Sequence, residues 1–95
     1  MAKANILVIE DEIKIARFVQ LELEHEGYAV QVEHDGREGL EKAVAGKPDL
    51  IILDLMLPSL NGMEVLRRLR QVSEVPVIML TAKGLSLIHI SEPTR

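Results

Sequence analysis

The stretch PDLIILDLMLPSLNG, Pro48 to Gly62, decides how the chain is read. Leu50, Ile51, Ile52 and Leu53 form a short, wholly apolar run, which suits a strand buried on both faces of a parallel sheet. The run ends on a carboxylate, Asp54. Met56, Leu57 and Pro58 then lead to Asn61 and Gly62, which punctuate the chain before a new amphipathic run. An Asp at the carboxyl end of a central strand lies on the edge where open α/β sheets bind their ligands. It is also a common turn former that bonds its own backbone. Asp54 alone does not separate these readings, so the rest of the chain has to be weighed.

Upstream, Ile6 to Ile9 read as a first apolar strand, ending in Glu10, Asp11 and Glu12. A helix is predicted from Glu12 to His25, with Ile15, Ala16, Val19 and Leu23 on one face and Gly27 as its stop. Tyr28 to Glu33 alternates as a strand with one wetter face, and Asp35-Gly36 turns the chain. Leu40, Ala43 and Val44 repeat at helical spacing as far as Gly46. Beyond the opening stretch, Asn61 is a good N-cap for a third helix to Gln71 that buries Val65, Leu66 and Leu69. Val75 to Leu80 reads as a fourth strand, with Pro76 tolerated at its start and Thr81 at its end. The alternation is βαβαβαβ, which implies a parallel sheet with helices on both faces.

Composition narrows the function classes. The 95 residues are 47% hydrophobic and 27% charged, with a formal charge of −4 and no long block of one sign. Such a chain suits one domain, and nothing in its charge points to direct contact with nucleic acid or a membrane surface. Cysteine and tryptophan are absent, which removes thiolate chemistry, and no apolar run approaches membrane-spanning length. A cytoplasmic location is expected. His25, His34 and His89 lack metal-ligand spacing and are expected to be surface or packing residues. Arg67, Arg68 and Arg70 read as a solvated face near the negative end of their helix, with a docking patch as the alternative. Met56, Met63 and Met79 read as core or loop filler.

If the strands take the order 2-1-3-4, Glu10, Asp11 and Asp54 meet at one carboxyl edge and Thr81 reaches it from strand four. Two carboxylates about 4 Å apart repel by roughly 4 kcal/mol at an effective dielectric of about 20, so the cluster calls for protons or a cation. Mg²⁺ takes hard oxygen ligands and has no need of His or Cys. Beside it, Asp54 is a candidate nucleophile toward a phosphoryl group, with Thr81 donating its hydroxyl. The plainer alternative for Glu10 and Asp11 is capping of the first helix.

Three motifs in order carry a family resemblance: Val8-Ile9-Glu10-Asp11-Glu12, Ile52 to Pro58 with Asn61-Gly62-Met63-Glu64, and Val77-Ile78-Met79-Leu80-Thr81-Ala82. Together they resemble the receiver domain of bacterial two-component response regulators, in wording closest to the branch with a winged-helix DNA-binding domain. The resemblance covers about residues 4 to 84. It implies a flavodoxin-like doubly wound fold of order 2-1-3-4, and a phosphoryl group taken from a histidine kinase to switch an effector. By it Asp54 is the phospho-acceptor, Asp11 a direct Mg²⁺ ligand, Glu10 an acidic neighbour acting through water, Met56 a ligand through its backbone carbonyl, and Thr81 the switch hydroxyl.

After Gly84 the chain departs from the family. Helix 4, a strand 5 carrying a phosphate-contacting Lys, and helix 5 do not follow, and the dimerisation face goes with them. Lys83 comes too early for that Lys and reads as a solvated loop residue. Residues 1–84 are therefore expected to be a partial receiver. Residues 85–95, LSLIHISEPTR, resemble the translation of a sequencing-library adapter. A turn of about three residues permits only an antiparallel hairpin onto strand four, so this tail is expected as an improvised edge strand or as loose chain.

The fragment itself is expected to be inactive, and the receiver reading makes it a switch and not an enzyme. Two other readings stay open, an enzyme of similar topology, such as an aspartate-based phosphatase or a nucleotide binder, and an interaction module. An aspartate-based phosphatase of similar topology would carry Asp-x-Asp after strand one, whereas Asp11 is followed by Glu12 and Ile13. A nucleotide binder would need a glycine-rich turn, and neither GxGxxG nor a P-loop occurs. An interaction module that never takes phosphate is the other alternative.

Overall fold

The computed structural model describes residues 4–81 and, by their backbone, 84–88. The elements are β1 (Asn5–Ile9), α1 (Ile13–His25), β2 (Ala29–Glu33), α2 (Gly36–Gly46), β3 (Leu50–Asp54), α3 (Gly62–Leu69), β4 (Val77–Thr81) and β5 (Gly84–Ile88). They build one sheet in the order β2-β1-β3-β4-β5. The first four strands are parallel and follow the expected 2-1-3-4 order. β5 is antiparallel to β4, with Val77 opposite Ile88 and Thr81 opposite Gly84. Of the two outcomes expected for the tail, residues 84–88 thus take the improvised edge strand, and β4 is an interior strand. Lys83, His89 and the rest of the tail lie outside the described residues.

Strand pleating sorts the core onto two faces. Leu7, Ile9, Ile51, Leu53, Val77 and Met79 pack with Ala43 of α2 and Val65, Leu66 and Leu69 of α3. Ile6, Val8 and Ile52 face the other way, against Val19 and Leu23 of α1 and the half-buried Ile78 and Leu80. Among the described residues α1 alone covers that second face. Its seam runs through Ala16, Val19 and Leu23, so Ile15, expected with them, is 44% exposed, and Phe18 on the far side is 64% exposed.

Other expectations shift by a residue or a face. Val44 is exposed, because α2 faces the sheet through Gly39 and Ala43. Gly46 is the last helical residue, and Lys47 takes the left-handed C-cap conformation at φ 49°. α3 ends at Leu69, two residues short of Gln71, although Asn61 caps it as read, accepting from Glu64 N at 3.0 Å. Val75 and Pro76 precede β4, and the Pro76 carbonyl accepts from Ile51 N. Met79 is core, whereas Met63 is half exposed on α3. Arg67 and Arg68 both pair with Glu64 one turn back, which holds the Glu64 carboxyl down at about 2. Arg70 donates to the Ser73 carbonyl at 3.2 Å.

The two faces make a packing prediction. Leu69 is fully buried under α3, so Leu69→Ala should lower the free energy of urea unfolding by about 2–5 kcal/mol. Phe18→Ser, on the open side of α1, should stay within about 0.5 kcal/mol. Equal losses at the two positions would show that the face assignment is wrong.

Candidate functional site

β1 and β3 run side by side with Ile9 opposite Leu53, so the next residue on each strand is an acid, Glu10 and Asp54. Asp11 follows Glu10 at the same edge. One carboxylate oxygen from each of Glu10, Asp11 and Asp54 lies within 4.8 Å of the others. The structure therefore brings together the three acids named from sequence. It is the one such acidic, Cys or His group among the described residues, and no histidine joins it.

Each carboxylate is held differently. Glu10 is 3% exposed, and its Oε2 accepts from Glu12 N at 2.8 Å while its own N–H donates to the Glu33 carbonyl of β2 at 2.9 Å. The capping alternative is thus partly realised: Glu10 serves the N-terminus of α1, whose N-cap residue Glu12 makes no side-chain cap bond. Burial first, and then the negative Asp54 and Asp11, push the Glu10 carboxyl up to about 7. Asp54 is half-buried and its carboxyl is also raised, chiefly by burial, even though Oδ1 accepts from Met56 N at 3.1 Å. The turn-former reading of Asp54 is also real, because this bond is an Asx turn. Asp11 is exposed to solvent.

The loop after Asp54 forms the wall of the site. Gly62 N closes it by donating to the Leu55 carbonyl at 2.9 Å, and a Cβ on Gly62 would stand 2.3 Å from the Asp54 carbonyl oxygen. Only glycine allows the start of α3 to come this close to the end of β3. A cleft of about 510 Å³ opens between Asp11 and this loop, lined by Leu55, Met56, Leu57, Pro58, Asn61 and Met63. Leu57 is buried in the core and the Met56 side chain is 76% exposed, so Met56 is no core filler. Thr81 ends β4 one residue beyond Leu80, the partner of Asp54. Its side chain lies outside the described part.

Sequence reasoning missed two neighbours. His34 places Nδ1 3.0 Å from the Glu10 carbonyl. Asp35, read as a turn residue, caps α2 by accepting from Arg37 N and Glu38 N, each at 3.1 Å, and Ser59 of the β3–α3 loop lies beside it and helps hold its carboxyl below the usual range. A signal for the cap existed in Asp35 followed by a helical pattern; none existed for its contact with Ser59.

Residues 6–89 match the response regulator receiver domain family. The chain belongs to that family. Among its relatives, the response regulator ArlR of Staphylococcus saprophyticus is 56% identical over 80 residues, covering 84% of this chain and 36% of that protein. The uncharacterized transcriptional regulatory protein YkoG of Bacillus subtilis is 58% identical over 84 residues, 87% of this chain and 37% of its own. The receiver chain thus spans little more than a third of the length of these curated relatives. In structure it resembles the Francisella response regulator 1452 receiver domain, with a TM-score of 0.81 at 37% identity over 84% of this chain and 67% of that one. It is equally similar to the response regulator TrrA of Thermotoga maritima, determined in complex with Mg²⁺-BeF, with a TM-score of 0.81 at 37% identity over 84% and 70% of the two chains. The receiver's described residues include no helix long and apolar enough to cross a membrane.

The raised carboxyls carry a sign. A folded-state value above the ordinary 4.5 means that the folded receiver binds more protons than the unfolded chain between 4.5 and about 7. Stability should therefore fall as pH rises through that window. Glu64 works the opposite way but below it, between 4.5 and about 2. In EDTA, the urea midpoint should drop from about pH 5 to about pH 8, and Glu10→Gln should flatten the drop. A midpoint that rises over this range would contradict the assignment.

Proposed function

We propose that this chain is the phospho-accepting receiver of a two-component relay, with Asp54 as the acceptor. The observation that carries it is the meeting of Glu10, Asp11 and Asp54 at the carboxyl edge between β1 and β3. A carboxylate oxygen of Asp54 attacks the phosphorus of a phosphohistidine on the kinase. The P–N bond breaks, the imidazole leaves with the electron pair, and an aspartyl phosphate remains.

The donor set fits Mg²⁺: three acidic side chains offering hard oxygens, two of them with carboxyls raised by burial and mutual repulsion. Asp11, Asp54 and the Met56 carbonyl would hold the ion directly and Glu10 through water. When bound, Mg²⁺ supplies positive charge that offsets the carboxylates and the phosphoryl oxygens. The chain's own residues do the rest. The Asx turn from Met56 N orients the Asp54 carboxylate, and Thr81 offers its hydroxyl to the transferred group as the reporting element. The likeness to TrrA, a protein seen with Mg²⁺-BeF, supports this reading.

The kinase is a histidine kinase, and the effector in the intact protein is DNA-binding. The second point is supported by the transcriptional regulator among its relatives and by their greater length. The receiver itself touches neither nucleic acid nor membrane, works in the cytoplasm, and is a switch and not an enzyme. Residues 85–95 are foreign to it, on their likeness to adapter translation. The phosphatase alternative lacks support, since exposed Ile13 stands where its second Asp would be.

The test is incubation with acetyl phosphate and Mg²⁺, read by intact mass, in a chain continued after Gly84 with the remainder of a family receiver. Asp54→Asn should abolish the phosphoryl adduct, because an amide does not attack. Asp11→Asn should instead raise the Mg²⁺ concentration needed for half-maximal labelling, by about 10- to 100-fold, the scale on which metal sites respond to a lost partner. Thr81→Ala should label normally and, with a DNA-binding effector domain also appended, lose the phosphorylation-dependent gain in DNA affinity. Stoichiometric labelling of Asp54→Asn at the unsubstituted rate would refute the acceptor.

A further inference from the structure

The loop between β3 and α3 is fixed at its two ends, by Met56 N on Asp54 Oδ1 and by Gly62 N on the Leu55 carbonyl. Its middle leans on a different element. Ser59 lies beside Asp35 at the N-terminus of α2 and helps hold its carboxyl down, and Gly36, the first residue of that helix, is so close that a Cβ there would stand 2.1 Å from the Leu60 carbonyl oxygen. That neighbour is backbone, not the end of a flexible side chain. Any residue larger than glycine must push the loop away from α2.

We propose that the N-terminus of α2 is a buttress for this loop, and that Gly36 and Ser59 are positioning residues that keep the Met56 carbonyl at the acidic edge without touching it. This rests on the reading of the edge as a Mg²⁺ site given above. Between Asp54 and Asn61, Leu57 is buried and Leu55 and Leu60 are half-buried against the same core, whereas Met56, Pro58 and Ser59 are exposed. Without the buttress the exposed stretch around Met56 would be tied by the two end bonds and these apolar contacts alone. Groups that orient a ligand matter to a metal nearly as much as the ligand itself.

Gly46, at the other end of the same helix, is the internal control, because a Cβ there meets nothing within 4 Å. Neither Gly36 nor Gly46 has positive φ, so alanine is conformationally allowed at both. Helix propensity alone would make either substitution mildly favourable.

The experiment uses the full 95-residue chain. Mg²⁺ binding is measured by titration calorimetry, and exchange of the Met56 and Gly62 amide protons is followed by NMR in metal-free buffer. Gly36→Ala and Ser59→Ala should each weaken Mg²⁺ binding about tenfold and speed both amide exchanges. Gly46→Ala should leave both unchanged, and Ser59→Thr, which keeps the hydroxyl, should behave as the unsubstituted chain. Ser59 is exposed, so its alanine variant reports even if Gly36→Ala does not fold. Unchanged affinity and exchange in Ser59→Ala and in any folded Gly36→Ala would overturn the buttress while leaving the Mg²⁺ site standing. Failure of the unsubstituted chain to bind Mg²⁺ would overturn both.

Discussion

Parallel pairing of β1 with β3 is the constraint on which the rest of the site depends. Because Ile9 and Leu53 are partners, the next residues, Glu10 and Asp54, put a carboxylate side by side at the carboxyl edge of the sheet, and the chain has no way to separate them without slipping the register. A slip by one residue would turn the apolar faces of both strands inside out. The core clusters on either side, built from alternate residues of the same strands, hold that register in place. Packing thus keeps like charges together against a repulsion of a few kcal/mol per pair. Burial first, and then the neighbouring negative charges, drive the Glu10 carboxyl up to about 7. A site of this kind is poised for a cation and for added phosphoryl charge.

The two faces of the sheet are not equivalent. α2 and α3 seal one side around Val65, Leu66 and Leu69, and α2 also reaches over to meet the loop that follows Asp54. The opposite side has α1, which buries Ala16 fully and Val19 and Leu23 in part. The element that shapes the rim of the site is therefore not one that supplies an acid. α2 donates no candidate ligand, yet its first turn meets the β3–α3 loop through Gly36 and Asp35. Division of labour of this sort is common where a rigid scaffold has to hold a functional loop.

β4 illustrates how an edge is managed. Val77 to Leu80 has no charge or proline of its own to discourage further pairing, and β5 takes up its open backbone groups by the shortest available route, a hairpin. A parallel partner would need a crossover of a dozen or more residues. The antiparallel strand is thus the geometry that so short a connection permits.

Much was legible in the sequence, and for a definite reason. Period-two burial, wholly apolar strands, the Asn61 cap and the Asp35-Gly36 turn are local signals, readable wherever neighbours in sequence decide conformation. Local pattern also placed Glu10, Asp11, Asp54 and Thr81 at strand ends. It did not choose the strand order, which came with the family resemblance, nor which side of a helix faces the sheet. Ile15 and Val44 carry the right periodicity and lie exposed, because helix orientation is settled by close approach at Ala16, Gly39 and Ala43. The contact of Gly36 with Leu60 and the burial that raises Glu10 join residues twenty or more positions apart. Such contacts exist only once the sheet has closed, since distance in space, and not spacing in sequence, sets a steric or electrostatic energy.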